Sequence, residues 1–334
     1  MHKAGYRDQQ PIFYFGAKLM ICGVDVSSQL LDVRVGRTGA SASFANDVEG
    51  IGALAEFCQL HKVHLIVMEA TGGYEQLAFG LLWARGIEVA IVNARSVRKF
   101  AQAMNILEKT DQIDTGVIVW YAETKKVMAM RPASAQQQRL KALVTRLRQL
   151  TEMRAVQRNQ RLLVTEAAVL DYFHQLLLFL NQQISTLERA IAGLIGADPI
   201  WQKLDQSFRS IKGVADRTVA RLMAELPEIG TLSNKKISKL AGLAPLADDS
   251  GKSKGKRKIY GGRHGVRDIL YIVATCVSRH NPDFSAFQAR LTQAGKAKKV
   301  IRIALAHKLL VRLNAKAREV RQLHPPLAFP ALLP

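Results

Sequence analysis

Cysteine is scarce in this chain. Only three occur among 334 residues, Cys22, Cys58 and Cys276, with no CxxC pair and no His/Cys spacing of the kind zinc requires. That excludes a disulfide framework and leaves buried, small apolar roles in a reducing compartment. Long apolar runs are missing as well. None approaches the ~18–20 residues of a membrane-spanning helix. Residues 1–19 hold a short aromatic stretch and no small-residue cleavage site, so they do not read as a secretory leader. They are expected to be an extension ahead of a first strand at Met20.

Negative charge is deficient in one half only. Residues 1–130 carry 13 Lys/Arg against 13 Asp/Glu, whereas residues 131–334 carry 35 against 14. The whole net charge of +21 therefore lies in the second part. A neutral half beside a strongly basic one points to one region for chemistry and another that grips a polyanion.

What is present in the neutral half is a set of four acids. Asp25 ends the apolar run Met20–Val26, and Glu69 ends His64–Met68 ahead of Ala70-Thr71-Gly72-Gly73. Asp111 and Asp114 stand three apart in Lys109-Thr110-Asp111-Gln112-Ile113-Asp114 and share one face if that segment is helical. Oxygen donors of this kind suit Mg²⁺, which wants octahedral oxygen ligands. A pair of such ions can activate a nucleophile and stabilise a leaving oxygen on phosphorus. Taken one at a time, strand-terminal acids are more often structural, and Asp111 and Asp114 could simply stabilise a helix N-terminus. Their order along one domain is the more specific signal.

The pattern predicts strands over 20–26, 30–35, 41–46, 63–68 and 88–92, with helices over 48–60, 74–85, 96–104 and 111–124. Strands followed by strand–helix alternation predict a mixed sheet covered by helices. Between 136 and 196 the pattern changes. Phe173, Leu177, Leu180, Ile184, Leu187, Ile191 and Leu194 form an a/d seam, and Leu140, Leu143, Leu147 and Leu150 begin another. Whether these helices pair within one chain or between chains is open at this level. Residues 201–322 read as a basic, mainly helical domain, and 323–334, with four prolines, as an irregular tail.

Two features stand out in the basic domain. Ile211–Ala220 resembles a helix-hairpin-helix, with Lys212 and Gly213 in the turn that would meet phosphates and Ala215 in place of a second glycine. A polar loop follows at 248–258. It holds Ser250 between two acids and a run of cations, Lys252, Lys254, Lys256, Arg257 and Lys258, with Arg263 beyond. A Ser-Gly in a loop is ordinarily a turn. This setting would also suit a hydroxyl attacking a phosphodiester, with Ser253 as its nearest rival. No motif supplies a histidine base, although His264 is near in sequence. Tyr260 and Tyr271 lack the Arg/His surroundings of a tyrosine nucleophile.

Together these motifs resemble the bridge-RNA-guided recombinases of bacterial insertion sequences, the Asp-Glu-Asp-Asp transposases related to Piv-type DNA invertases. The resemblance spans residues 20–315. It rests on Gly23-Val24-Asp25-Val26-Ser27, Glu69-Ala70-Thr71-Gly72, Lys109–Asp114 and Ala241-Gly242-Leu243-Ala244-Pro245. It implies an α/β plus α fold: a RuvC-like (ribonuclease-H-like) domain over 20–130, a coiled-coil helical segment over 131–200 and a basic transposase domain over 201–322. It implies Asp25, Glu69, Asp111 and Asp114 as ligands for Mg²⁺, with Mn²⁺ as a substitute, and Ser250 as a nucleophile that becomes covalently joined to DNA. It further implies donor and target DNA, a structured guide RNA, a tetramer built from two dimers, and a cytoplasmic, nucleoid-associated location. Thr115, where the family has alanine, and Ala215 depart from its pattern. The alternatives are a resolvase-like nuclease using water, an unguided invertase, and a nucleic-acid-binding architectural protein.

Overall fold

The computed structural model describes residues 19–106, 108, 111–247, 249–250, 253–255 and 257–323, with the backbone alone at 111–113 and 253–254. Residues 1–133 and 134–334 form two compact units. The expected extension 1–19, apart from Leu19, and the tail beyond Leu323 lie outside the described residues.

The first unit is a five-stranded mixed sheet in the order β3-β2-β1-β4-β5. Strands β1 (Ile21–Val26), β2 (Leu30–Val35) and β3 (Ser41–Ala45) form an antiparallel meander, while β4 (Leu65–Glu69) and β5 (Val89–Val92) run parallel to β1. The parallel strands need crossovers, which α1 (Val48–Leu60) and α2 (Glu75–Ala84) supply. Asp47 caps α1 by accepting the Gly50 N–H at 2.8 Å, an arrangement that stabilises a helix by about 1 kcal/mol. Cys22, Val24 and Val26 point to one face and pack with Ile51, Leu54 and Cys58 of α1 and with Ala78, Phe79 and Leu82 of α2. The opposite face packs on α3 (Ala94–Ala103) and α4 (Asp111–Lys125). Two of the three cysteines are thus buried core residues, while Cys276 is exposed.

The second unit is helical. Helices α5 (Ala135–Arg161) and α6 (Ala167–Gly196) pair within the chain: Leu140, Val144, Leu147 and Leu150 share a core with Leu180, Ile184, Ile191 and Ile195. Every residue of the α6 seam is buried or half-buried, as its heptad spacing requires. This pair does not stand apart as a separate linker over 131–200. Its core continues into α7 (Pro199–Arg209), α8 (Asp216–Glu225), α9 (Asn234–Leu240), α10 (His264–His280), α11 (Pro282–Gln293) and α12 (Lys298–Leu323). Helix α11 has an Asn281 cap with proline at its first turn. Helix α12 runs to Leu323, because Leu313 and Ala317 keep its buried stripe going. Asn314, fully buried, accepts from the Gly230 N–H and donates to the Leu232 carbonyl and to Asn234, so its polar atoms are satisfied inside the core.

Candidate active site

Two of the first unit's acids meet at one end of the sheet. β1 and β4 are parallel, with Val24 opposite Met68 as the last registered pair, so the next residues, Asp25 and Glu69, stand side by side at the ends of the strands, one residue before the last of β1 and at the last of β4. Because side chains alternate along a strand, Gly23 and Asp25 lie on the same face as Ile21, and Glu69 on that of Leu65 and Val67. That face is covered by α4, where Ile21, Leu65 and Val67 pack with Val117, Ile118 and Ala122.

Gly23 sets how close α4 can come. A Cβ there would collide with the Thr115 carbonyl oxygen and lie 3.0 Å from Val119 Cγ2, so only glycine lets this turn of α4 rest on β1. Arg37, just after β2, is bridged to Glu123 of α4 at 2.6 Å, and its carbonyl lies against Gly116 of the same helix. The N-terminal turn of α4 carries Asp111 and Asp114. Thr115 is buried, 2% exposed, at the point where α4 meets the strand.

Two supporting residues escaped the sequence reading. Glu75, 6% exposed, accepts the N–H groups of Thr71 and Gly73, both at 3.0 Å, and so holds the turn that follows Glu69. Burial pushes its carboxyl up, but the hydrogen bond from Gln76 and the backbone N–H groups outweigh that and keep it below its ordinary value. Asn46 donates its Nδ2 to the carbonyls of Ser27, 2.8 Å, and Tyr74, 3.2 Å, tying the turn after Asp25 to the turn after Glu69. Its Oδ1 is buried with no hydrogen-bond partner among the described atoms. Neither residue belongs to a motif. The only hint was a carboxylate two residues past a Gly-Gly turn. Helix α3, capped by Asn93 directly after β5, starts at this same end, since Val92 is registered with Glu69. It carries Arg95, Arg98 and Lys99, three of the thirteen cations of an otherwise neutral region.

The donor set is all oxygen, which fits a hard divalent cation such as Mg²⁺. Among the described residues no three acid, imidazole or thiol groups close into a ligand cluster. Asp25 and Glu69 share an end and a face of the sheet, Asp114 precedes the Thr115 turn that rests on Gly23, and the Asp111 side chain lies outside the described residues.

In the second unit, Ser250 sits exposed on an arm between Pro245 and Ile259. Four short strands build it: β6 (Pro245–Leu246) pairs with β9 (Lys258–Ile259), and β7 (Asp249–Ser250) with β8 (Ser253–Lys254), placing Ser250 opposite Ser253. Arg257 and Lys258 are exposed on the returning strand. Lys252 and Lys256 lie outside the described residues, as does the Lys254 side chain. Lys212 is exposed in the turn between α7 and α8, and Gly213 beside it packs against α10, where a Cβ would come within 2.9 Å of the Val277 backbone. Asp216 opens α8 and is paired with Arg209 at 3.1 Å, so this turn presents a carboxylate as well as its N–H groups. Arg263 differs from the other cations. It is bidentate to Glu228, both contacts at 2.6 Å, and bonded to the Glu225 carbonyl, so its charge is engaged within the fold.

A transposase family model of the IS110 Asp-Glu-Asp-Asp kind matches residues 22–166. A second, described as "Transposase IS116/IS110/IS902 family", matches residues 205–289. The chain is also similar to the pilin gene-inverting proteins of Moraxella bovis and Moraxella lacunata, each 28% identical over 313 residues, or 90% of this chain and 96% of the relative.

Proposed function

Because the chain belongs to the IS116/IS110/IS902 family of transposases and is a DNA recombinase, we propose that it cuts and rejoins DNA with Ser250 as the nucleophile. The observation that supports this reading is the side-by-side placement of Asp25 and Glu69 on the face of the sheet that α4 covers. Asp25, Glu69, Asp111 and Asp114 would hold Mg²⁺. When bound, the metal neutralises phosphate charge and polarises the scissile group.

The remaining chemistry belongs to the chain. The Ser250 oxygen attacks phosphorus, a serine–phosphate bond forms, and the bond to one deoxyribose oxygen breaks. The serine proton leaves, and the released strand end takes one up. An incoming DNA hydroxyl reverses these events on a new strand, so one phosphodiester is exchanged for another without hydrolysis. Arg257, Lys258 and Lys212 contact backbone phosphates, and the cations of α3 bring the strand to the acid end. The acids of one subunit work with the serine of another in a tetramer of paired dimers. The large basic excess of residues 131–334 supports a second polyanion, a structured guide RNA that pairs with donor and target DNA.

Ser250→Ala is expected to abolish a detergent-stable, protease-sensitive protein–DNA adduct while leaving DNA binding intact. An adduct that survives, or that disappears only with Ser253→Ala, would refute the assignment of Ser250. The similarity to the gene-inverting proteins supports a second reading, recombination without a guide. Sequencing the nucleic acid that co-purifies with the protein separates the two: a single structured RNA encoded beside the gene supports guidance, and random RNA supports the unguided reading.

A further inference from the structure

The arm that carries Ser250 leaves and re-enters the body of its unit at one point. There, Gly242 of the outgoing strand and Gly261-Gly262 of the returning one cross backbone to backbone. A Cβ on Gly242 would collide with the Gly261 carbonyl, and a Cβ on Gly262 with the Gly242 backbone nitrogen. All three have positive φ, +66°, +69° and +72° in chain order, where an L side chain is strained. The crossing is tied to the helices on both sides. The Arg263 N–H donates to the Leu240 carbonyl at 2.8 Å, and the Leu243 and Ala244 N–H groups both reach the Ser238 carbonyl. The Arg263 guanidinium forks onto Glu228 and reaches the Glu225 carbonyl at the end of α8. Arg267 of α10 donates to the Gly261 carbonyl at 3.0 Å. Burial pushes the Glu228 carboxyl up, yet its hydrogen bonds from Arg263 and from the backbone, with the nearby guanidinium charge, outweigh this and hold it below its ordinary value.

Beyond this foot, among the described residues, each of the arm's two ladders is two residue pairs long, and Leu246, Asp249, Ser250 and Lys258 are exposed, while Pro245, Arg257 and Ile259 nearer its base line a cavity with Val300, Ile303 and His307 of α12. An exposed outer segment takes its direction from the foot that carries it. From Ile259 to Arg263 is four residues, so a small rotation at the crossing moves Ser250 by much more than it moves the foot.

We infer that the Arg263–Glu228 pair is the positioning element for Ser250: it locks the glycine crossing and thereby sets the approach of the serine oxygen to phosphorus. The inference rests on Ser250 being the nucleophile. It gives Arg263 a role other than contacting phosphate and brings in Glu228, which no motif marks.

The test uses the full-length chain and a supercoiled plasmid carrying its gene with the native flanking DNA. Adduct formation rate, affinity for the labelled flanking fragment and thermal midpoint are measured together. Glu228→Gln keeps size and one hydrogen-bonding oxygen but removes the charge. It is expected to slow adduct formation by about 10–100-fold, the cost of a misplacement near 1 Å, with affinity and midpoint close to the parent. Arg263→Lys keeps the charge but not the fork, and is expected to fall between Glu228→Gln and the parent. It also decides the matter if Glu228→Gln does not fold. Adduct formation at the parental rate in the folded variants overturns the inference, and so does a loss of affinity as large as the loss of rate. Ser250→Ala runs alongside. If its adduct persists, the Ser250 reading itself has failed; if its adduct vanishes while the foot variants behave as the parent, only the positioning role has failed.

Discussion

On the proposed reading, the two units place their reactive groups in opposite ways. In the first, the acids are held by a sheet. Asp25 and Glu69 end neighbouring strands whose cores are buried, and α4 is seated against Gly23. In the second, Ser250 stands on an exposed arm with short ladders and a glycine foot. The first unit carries no net charge up to residue 130, and the second carries all of it. A set of like charges must be held by a rigid scaffold, because the carboxylates repel one another until a cation arrives. A serine that is to attack DNA has to project from the surface, and chemistry divided as proposed would depend on assembly.

The largest effect tests that division directly. Asp25→Ala and Ser250→Ala, one in each unit, are each expected to lower strand exchange by about 10³-fold or more, with DNA binding retained. Mixed in one reaction, the two variants should recover measurable exchange, since each supplies what the other lacks. No recovery, with mixed assembly verified, would place acids and serine of the same subunit in one site and break the comparison.

A smaller but still severe effect is expected from Gly23→Ala. The added methyl meets the backbone of Thr115 rather than a side chain that could swing away. Overpacking of this kind costs about 1–3 kcal/mol. It should lower the thermal midpoint of the first unit and reduce exchange more than affinity, because α4 carries two of the acids. A variant with the parental midpoint and rate would show that α4 need not sit so close.

Glu75 gives a pH signature confined to the first unit. Its carboxyl is held below the ordinary value of 4.5 in the folded protein. Its contribution to stability is therefore present above the unfolded value and is lost as pH falls through the lower folded one. Glu75→Gln should flatten that acid limb of a stability–pH curve and leave stability at neutral pH less affected than Gly23→Ala does. An unchanged acid limb would mean that the turn after Glu69 does not depend on this carboxylate.

The mildest effect belongs to the basic surface. Lys258→Ala is expected to weaken binding to all DNA sequences alike and to reduce the salt slope of log K by about 0.9. A sequence-dependent loss would make Lys258 a base-reading residue instead of a backbone contact.

Much of this was legible along the chain. Short apolar runs and alternating stretches marked the five strands of the sheet, and heptad spacing marked the α6 seam, because these patterns are local consequences of backbone geometry. The four acids could be chosen because each lay at the end of a strand or the start of a helix. Their neighbourhood was another matter. Glu75 and Asn46 matter through hydrogen bonds to loops that are remote from Asn46 in sequence, and no local pattern announces them. The same holds for the basic residues. Arg263 looked like one more cation of a phosphate-binding run, yet it is paired with Glu228, thirty-five residues earlier. Lys258, five residues away, is exposed.

Sequence alone thus determined the division into a neutral sheet domain and a basic helical one, since composition and periodicity are properties of the chain itself. It also supplied the candidate acids, the candidate serine and the family resemblance. Whether the long helices pair within the chain was decided only by tertiary structure, because the a/d seams of α5 and α6 are compatible with either partner until packing selects one. So was the convergence of Asp25 and Glu69, which depends on strands about forty residues apart lying parallel and in register. The foot of the Ser250 arm was decided there too, since two backbones can cross in contact only where chain folding brings glycines from both sides to the same point.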